Sequence, residues 1–575
     1  MTDMEQRKCL FESPPCFAWP RSLVANPIAL YRWHRRSFAR PLSWRRSAGS
    51  WEACTDASGS NPPAPSAPLF SDRGPDMNYT HEQLPAINSI SRLLKLIAFA
   101  GTGKTTTLIG YALARPQCRI LYLCYNKSVE QAAKQKFPVN VVCKTAHGLA
   151  YGTFGSRYRH KLTQNLRLTD ISKAINSQNW ELVRGVLETL NNFLASNDDA
   201  IALSHCPAEK LKNERMRRAA QGMVDGASRL WVKMCDVDNT AVQMTHDGYL
   251  KLWALSKPSL RGRFDIVLGD EGQDINPVIA GVLELQAGFG LGVVVCGDGH
   301  QMLYRFRGAV DALNAPWLAR AEVHYLTQSF RFGPAIAHVA NMVLHFKGER
   351  RPLAGLGATS RVCKALPDGL EHRAILCRTV VGVIEKALSL VDAGAKIFWV
   401  GGIDGYNLQA LEDLHALSKG HRDQVKGKKL LQEYPEYTFY KEVANESQDP
   451  EMLRSVRIVE QYSRNLPELF ASLRRNAVTD ELEASVTLST AHRAKGLEWD
   501  AVQIAEDFTF SPFDPDNDYE SWIDEMNLLY VACTRAMQLL AINGPVLAIM
   551  EEFVGRRDGK RPATPLRFRR SELAA

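Results

Sequence analysis

Twelve cysteines are scattered along the 575 residues without a CxxC pair, so the ligand spacing of a zinc ribbon or an iron–sulfur site is missing. No run of about 18 apolar residues occurs, and no membrane span is expected. The opening MTDMEQRKCLFE lacks the basic-then-apolar order of a secretory signal. Unpaired thiols without such a signal lead to the expectation of a reducing, cytoplasmic compartment, at the nucleoid if the source is bacterial. Cys296 and Cys533 stand inside apolar runs and read as core. No segment repeats at a fixed period, which speaks against a solenoid. Charge is not strongly one-sided either: a net +8 permits contact with nucleic acid without requiring it.

Residues 1–76 also lack any helical or strand period and are rich in Arg, Ser, Pro and Trp. They are expected to form a disordered extension. An arm that binds DNA or an organellar transit segment are the alternatives, because the cluster from Arg32 to Arg46 contains no acidic residue. Ordered-looking sequence starts at NYTHEQLPAINS, directly after Met77.

From Leu94 onward, short aliphatic runs alternate with helical stretches. The runs are RILYLCYN, FDIVLGDE, LGVVVCGD, AILCR, KIFWVGG, VTLSTAH and AVQIAEDF. Continuous apolar strands separated by helices predict an α/β protein with parallel sheets covered on both faces. Two polar, helical segments, at about 151–257 and 403–484, interrupt the rhythm and read as insertions.

AFAGTGKTT follows the first apolar run and opens a helix. Glycines at 101 and 103 let backbone N–H groups face phosphates, Lys104 reaches the outer phosphate oxygens, and the Thr105 hydroxyl suits Mg²⁺. Ala98 occupies the first glycine position of the general pattern. The second half of such a site is FDIVLGDEGQD, where a strand delivers Asp270 and Glu271 at its carboxyl end. Asp270 suits a metal contact and Glu271 the base that orients and deprotonates an attacking water. Together these motifs predict a nucleoside triphosphate hydrolase.

With these motifs in order, residues 77–545 resemble a superfamily 1 DNA helicase of the UvrD/Rep type, and within that group the helicase region of the F-box DNA helicases. The resemblance implies two RecA-like domains. The first spans 77–150 and 258–322 and is interrupted by a helical insertion at 151–257. The second spans 323–402 and 485–555 around a short insertion at 403–484, and a basic tail occupies 556–575. ATP would be cradled by Ala100, Gly101, Thr102, Gly103, Lys104, Thr105 and Thr106, with Mg²⁺ on Thr105 and Asp270. Gln83 in YTHEQLPAI would read the adenine edge, Phe330 would stack on the base, and Glu498 would lie near the ribose. Gln301 is implied as the γ-phosphate sensor, with Arg331 in YLTQSFRFGP and Arg535 in EMNLLYVACTRA as arginine fingers.

DNA contacts are implied at Tyr125, Asn126, Thr145, His147, Tyr304, Phe306, Arg307, Thr490 and His492. Gly272 stands where the family usually has Ala, and Gly299 sits inside GDGHQMLYRFRGA; both are expected to loosen their turns. The implied activity is ATP-driven 3′→5′ movement on single-stranded DNA, with duplex junctions as substrate, in repair or recombination control. Stripping of proteins such as recombinase filaments with little unwinding is the alternative, and a nucleotide-gated DNA-binding protein without hydrolysis a weaker one. The chain is expected to act as a monomer or weak oligomer.

Overall fold

The computed structural model describes residues 78–575 apart from 125, 212–213, 306–310, 392–393, 464, 561–565, 567 and 569–575. The extension expected at 1–76, most of the basic tail, and the contacts assigned to Tyr125, Phe306 and Arg307 therefore lie outside the described residues. The chain divides into two units, Met1–Thr80 and His81–Ala575; both large sheets belong to the second.

The first sheet has six strands: β1 (Leu93–Ala98), β2 (Ile120–Cys124), β3 (Val141–Thr145), β4 (Ile266–Gly269), β5 (Gly292–Gly297) and β6 (Glu322–Leu326). Their order is β3-β2-β4-β5-β1-β6, and every pair is parallel. The second sheet has seven: β7 (Arg361–Cys363), β8 (Arg373–Cys377), β9 (Ile397–Trp399), β10 (Ala477–Val478), β11 (Val486–Thr490), β12 (Trp499–Ile504) and β13 (Ala536–Ala541). These run β7-β13-β12-β8-β11-β9-β10, again in parallel throughout. Each of the seven apolar runs noted in the sequence is one of these strands. Runs such as ILYLC, IVLG and VTLST are buried along their whole length, as strands covered by helices on both faces must be.

Two sheet edges depart from the expected boundaries. Glu322–Leu326 pairs with β1, so the first sheet runs past the division placed at 322/323. The segment EVHYL is exposed at its start and buried only at Leu326, an edge strand whose weak apolar pattern did not announce its partner. Ala477–Val478 pairs with β9, so the second insertion ends before residue 477 rather than at 484.

Helices α1 (Lys104–Leu113), α3 (Pro334–Phe346) and α5 (Tyr519–Cys533) adjoin the site, and α2 (Trp180–Ala195) and α4 (Tyr437–Ser447) lie apart from it. Helix α2 belongs to the first insertion and α4 to the second, and the two insertions meet. Trp180 lies edge-on to Phe439 at 6.0 Å, while Arg184 pairs with Asp449 at 2.7 Å and Arg167 with Glu433 at 2.6 Å. Phe99, Ala100 and Leu303 from the first lobe share one buried cluster with Ile336 of α3 and Tyr530 of α5. The two lobes are thus joined by apolar packing directly beside the end of β1. Cys296 and Cys533 are fully buried, as read from their apolar runs. Among the described residues no helix is long and apolar enough to cross a membrane.

Gly272 does not loosen its turn. A Cβ there would stand 2.7 Å from Val295 Cγ1 and 3.2 Å from Leu313 Cδ2, so the glycine is what lets the turn after β4 press against β5. Gly272→Ala should destabilise the fold by about 1–3 kcal/mol through overpacking. The midpoint of denaturant unfolding at unchanged slope measures this.

Candidate nucleotide site between two lobes

The loop after β1 takes a left-handed turn at Gly101 (φ 74°) and again at Gly103 (φ 80°), conformations that only glycine adopts freely. Space demands glycine as well. A Cβ at Gly101 would lie 2.4 Å from Ser329 Oγ and 2.7 Å from Arg331 Cβ, and one at Gly103 would lie 2.8 Å from Gln83 Nε2. Helix α1 then starts at Lys104, which turns its N-terminal N–H groups toward the loop. The expected contributors do not all face outward. Thr102 is buried and its hydroxyl donates to Phe99 O at 2.8 Å, and the buried Ala100 N–H donates to Tyr530 Oη at 3.2 Å. Both hold the loop's shape. Gln83 is buried against the loop, with Nε2 3.5 Å from Thr102 O. Phe330 is 49% exposed and its N–H donates to Gly101 O at 2.9 Å, which leaves its ring free to meet a planar base.

At the end of β4, Asp270 accepts the Tyr122 hydroxyl through Oδ2 and the Glu271 N–H at 2.9 Å through Oδ1. Glu271 itself is left-handed at φ 54°, a strained conformation for a residue with a side chain and typical of functional sites. Its carboxylate lies 3.7 Å from Lys104 Nζ and 3.4 Å from Lys495 Nζ, and Gln273 Nε2 donates to it. Burial by itself would raise the carboxyl of Glu271, but Lys104 and Lys495 outweigh it and hold the group below the usual carboxylate range. Asp270 goes the other way, pushed up by burial and then by the Glu271 charge. Burial acts to strip the proton from Lys104, yet the surrounding Glu271 and Asp298 charges keep its pKa above the ordinary value. Burial therefore pushes Asp270 toward its protonated form, while the two lysines hold Glu271 ionised beside the loop.

A second polar chain starts at Asp298, just beyond β5. Gln301 Nε2 donates to Asp298 Oδ2 at 2.6 Å, and Arg535 Nη2 donates to Gln301 Oε1 at 3.4 Å. Arg535 is buried and also donates to Val531 O and Leu497 O. Burial, then the neighbouring Arg331 charge, bring its pKa down to about 9, still cationic at neutral pH. Arg331, expected on the second α/β unit, sits on the connection that leaves β6 and enters α3. Its Nε donates to Glu498 at 2.5 Å and Nη1 to Thr534 O at 3.2 Å. Glu498 is thus the partner of the arginine in this state, and both arginines are anchored close to Thr534.

The remaining expected contacts lie at strand ends. Thr145, the last residue of β3, pairs with Cys124 of β2, so the loop bearing Asn126 and the helix start bearing His147 are neighbours. Asn126 caps the helix Lys127–Lys136 by accepting Val129 N–H at 2.8 Å, and Thr145 accepts Gly148 N–H at 2.9 Å. His147 pairs with Asp247 at 3.0 Å. Across the lobes, Tyr304 donates to His492 O at 3.4 Å, and Thr490 closes β11 beside it. Asn126 and Thr145 thus have capping roles in addition to any ligand.

Sequence reading missed Lys495, Tyr122, Asp298 and Tyr530. Lys495 lies within STAHRAKGLEWD with nothing local to single it out, yet it pairs with Glu271 and Asp274 and donates to Gln301 O at 2.9 Å. Tyr122 and Tyr530 carried a faint signal, a hydroxyl inside an otherwise apolar run.

A glycine loop, carboxylates and cations thus converge here from two parallel sheets. Residues 180–544 match the UvrD-like helicase C-terminal domain, and the chain belongs to the UvrD-like helicase family. It is 35% identical over 509 residues to "F-box DNA helicase 1" of Gallus gallus, covering 81% of this chain and 49% of that protein. Identity to "F-box DNA helicase protein 1" of Schizosaccharomyces pombe is 29% over 497 residues, covering 79% and 56%. Identity to "ATP-dependent DNA helicase UvrD2" of Mycobacterium tuberculosis is 26% over 338 residues, covering 49% and 47%. The chain spans about half the length of the curated relatives it matches.

Lys495→Ala should lower turnover and shift the acid limb of the pH–rate profile upward. The sign follows from the charges: a carboxylate can serve as a base only when ionised, Lys495 helps hold the Glu271 pKa down, and removing that cation raises it. The pH dependence of kcat/KM for ATP hydrolysis measures the shift.

Proposed function

We propose that the chain is an ATP-dependent DNA helicase or translocase that moves 3′→5′ along single-stranded DNA, in repair or recombination control. The observation that carries this reading is the division of one charge cluster between two lobes. Lys104, Asp270 and Glu271 come from the first sheet, whereas Lys495 and Arg535 come from the second and reach Glu271 and Gln301. An enzyme that hydrolyses ATP at such a seam ties each turnover to a change in how the lobes meet. The names of the relatives supply DNA as substrate, and the resemblance supplies the direction of travel.

In this mechanism the N–H groups of the glycine loop and Lys104 hold the β- and γ-phosphates. Thr105 and Asp270 are two hard oxygen donors, which suits Mg²⁺, an ion that takes one or two protein oxygens plus phosphate oxygens. When bound, the ion would neutralise charge on the phosphates. Glu271 orients the attacking water and accepts its proton. Arg331 exchanges Glu498 for the γ-phosphate, Arg535 approaches through Gln301, and the two guanidinium groups stabilise the charge that develops there. Phe330 and Gln83 hold the adenine. Asn126, Thr145, His147, Tyr304, Thr490 and His492 face the strand, so that lobe closure moves one group of contacts against the other.

Single-stranded DNA should stimulate ATP hydrolysis, and Lys104→Ala should abolish it. Glu271→Gln should still bind ATP and DNA but turn over at a rate lower by about 10²–10⁴-fold. Arg331→Ala or Arg535→Ala should each lose about 10³-fold or more. Steady-state ATPase assays with and without DNA check these effects, and equal turnover in both conditions would remove DNA from the reading. Unwinding of 3′-tailed against 5′-tailed duplexes checks the direction. Stimulated hydrolysis with little unwinding of either would favour the protein-stripping role.

A further inference from the structure

We propose that Tyr530 is a positioning residue for hydrolysis, whose hydroxyl reaches from the second lobe to link the phosphate loop and the Gln301 loop of the first and so sets Gln301 and Arg535 relative to the γ-phosphate. The proposal rests on the ATPase reading above and adds to it a residue outside the nucleotide contacts.

Three observations carry it. Tyr530 lies on α5, which packs in the second lobe's core, and its side chain is fully buried. Its oxygen nevertheless meets two polar groups of the first lobe. It accepts the Ala100 N–H at 3.2 Å and lies 3.4 Å from Asp298 Oδ2, to which it donates. Asp298 Oδ2 also accepts from Gln301 at 2.6 Å, and Gln301 accepts from Arg535 at 3.4 Å. Tyr530 and Arg535 are five positions apart, and Arg535 N–H is only one residue beyond the Thr534 that bonds back to Tyr530 O. The bonds therefore form a closed circuit, Tyr530, Asp298, Gln301, Arg535 and back along the chain to Tyr530, with the Ala100 N–H of the phosphate loop attached to it at the Tyr530 hydroxyl.

A closed circuit of this kind constrains geometry more than any single contact, because displacing one member strains the others. The same face of α5 adds further ties. Asn527 Nδ2 donates to Met302 O at 2.9 Å, and Arg305 pairs with Glu520 and, at 3.3 Å, with Asp524. Residues 520, 524, 527 and 530 follow helical spacing, so α5 runs as a strut along the loop from Asp298 to Arg305. The hydroxyl is the end of that strut nearest the phosphates. Burial, followed by the Asp298 charge, holds the phenol well above its ordinary pKa, so it remains a donor throughout the working range.

Tyr530→Phe keeps the ring and removes only the oxygen. Its kcat for DNA-stimulated ATP hydrolysis should fall about tenfold, the scale of one lost positioning hydrogen bond, with KM for ATP nearly unchanged. In a Gln301→Ala background the same substitution should cost little further, since the residue acts through Gln301. A kcat within about twofold of wild type, or full additivity with Gln301→Ala, overturns the proposal. If Tyr530→Phe proves too unstable to assay, Asp298→Ala removes the acceptor and opens the circuit from the other lobe, and a normal kcat there overturns it equally. Wild-type protein without turnover would overturn the functional reading and the proposal together, whereas normal wild-type turnover with a normal Tyr530→Phe overturns the proposal alone.

Discussion

Three carboxylates, Asp270, Glu271 and Asp274, crowd the turn after β4, and taking such charges out of water costs several kcal/mol each unless cations answer them. One answering cation, Lys104, comes from the same lobe. The other, Lys495, reaches across from the second lobe to Glu271 and Asp274. The cations that pair with this turn come from both lobes, so the docking of the two lobes and the ionisation of Glu271 are linked. The apolar cluster that joins Phe99 and Leu303 to α3 and α5 supplies the adhesion, and the Lys495 pairs fix where that adhesion occurs.

The same dependence ties the phosphate loop to the connection between the two sheets. Gly101 brings the phosphate loop so close to Ser329 and Arg331 that no side chain fits between them, and Arg331 stands where the chain passes from one sheet to the other. Its pairing with Glu498 therefore bears directly on that connection. Arg535 of the second lobe meets Gln301 of the first across the same seam. Sub-ångström changes at packed seams of this sort become lobe movements because such interfaces shift between discrete arrangements rather than deform continuously.

Much of the fold was legible in the sequence because the relevant signal is local. A strand buried on both faces must be apolar throughout, so ILYLC, IVLG and VTLST declared themselves, and with them the parallel α/β class. The edges were less legible. Glu322–Leu326 is half exposed and carries charge, and a two-residue strand such as Ala477–Val478 has too little sequence to hold a period. Gly272 was misread for a related reason: without the positions of Val295 and Leu313, a glycine in a turn looks like slack rather than fit.

The candidate site divides along the same line. The sequence by itself determined the glycine loop with Lys104 and Thr105, the Asp270–Glu271 pair at a strand end, and the presence of arginines downstream, since each depends on a short motif whose chemistry is fixed by neighbouring residues. Only the tertiary structure decided that Lys495 stands opposite Glu271, that Tyr122 holds Asp270, and that Tyr530 lies between Ala100 and Asp298. Those partners are separated by 224, 148 and between 232 and 430 positions along the chain. No local pattern spans such distances; the contacts exist because two independently periodic sheets dock with their strand ends toward a common seam, and the side chains that meet there are chosen by that docking.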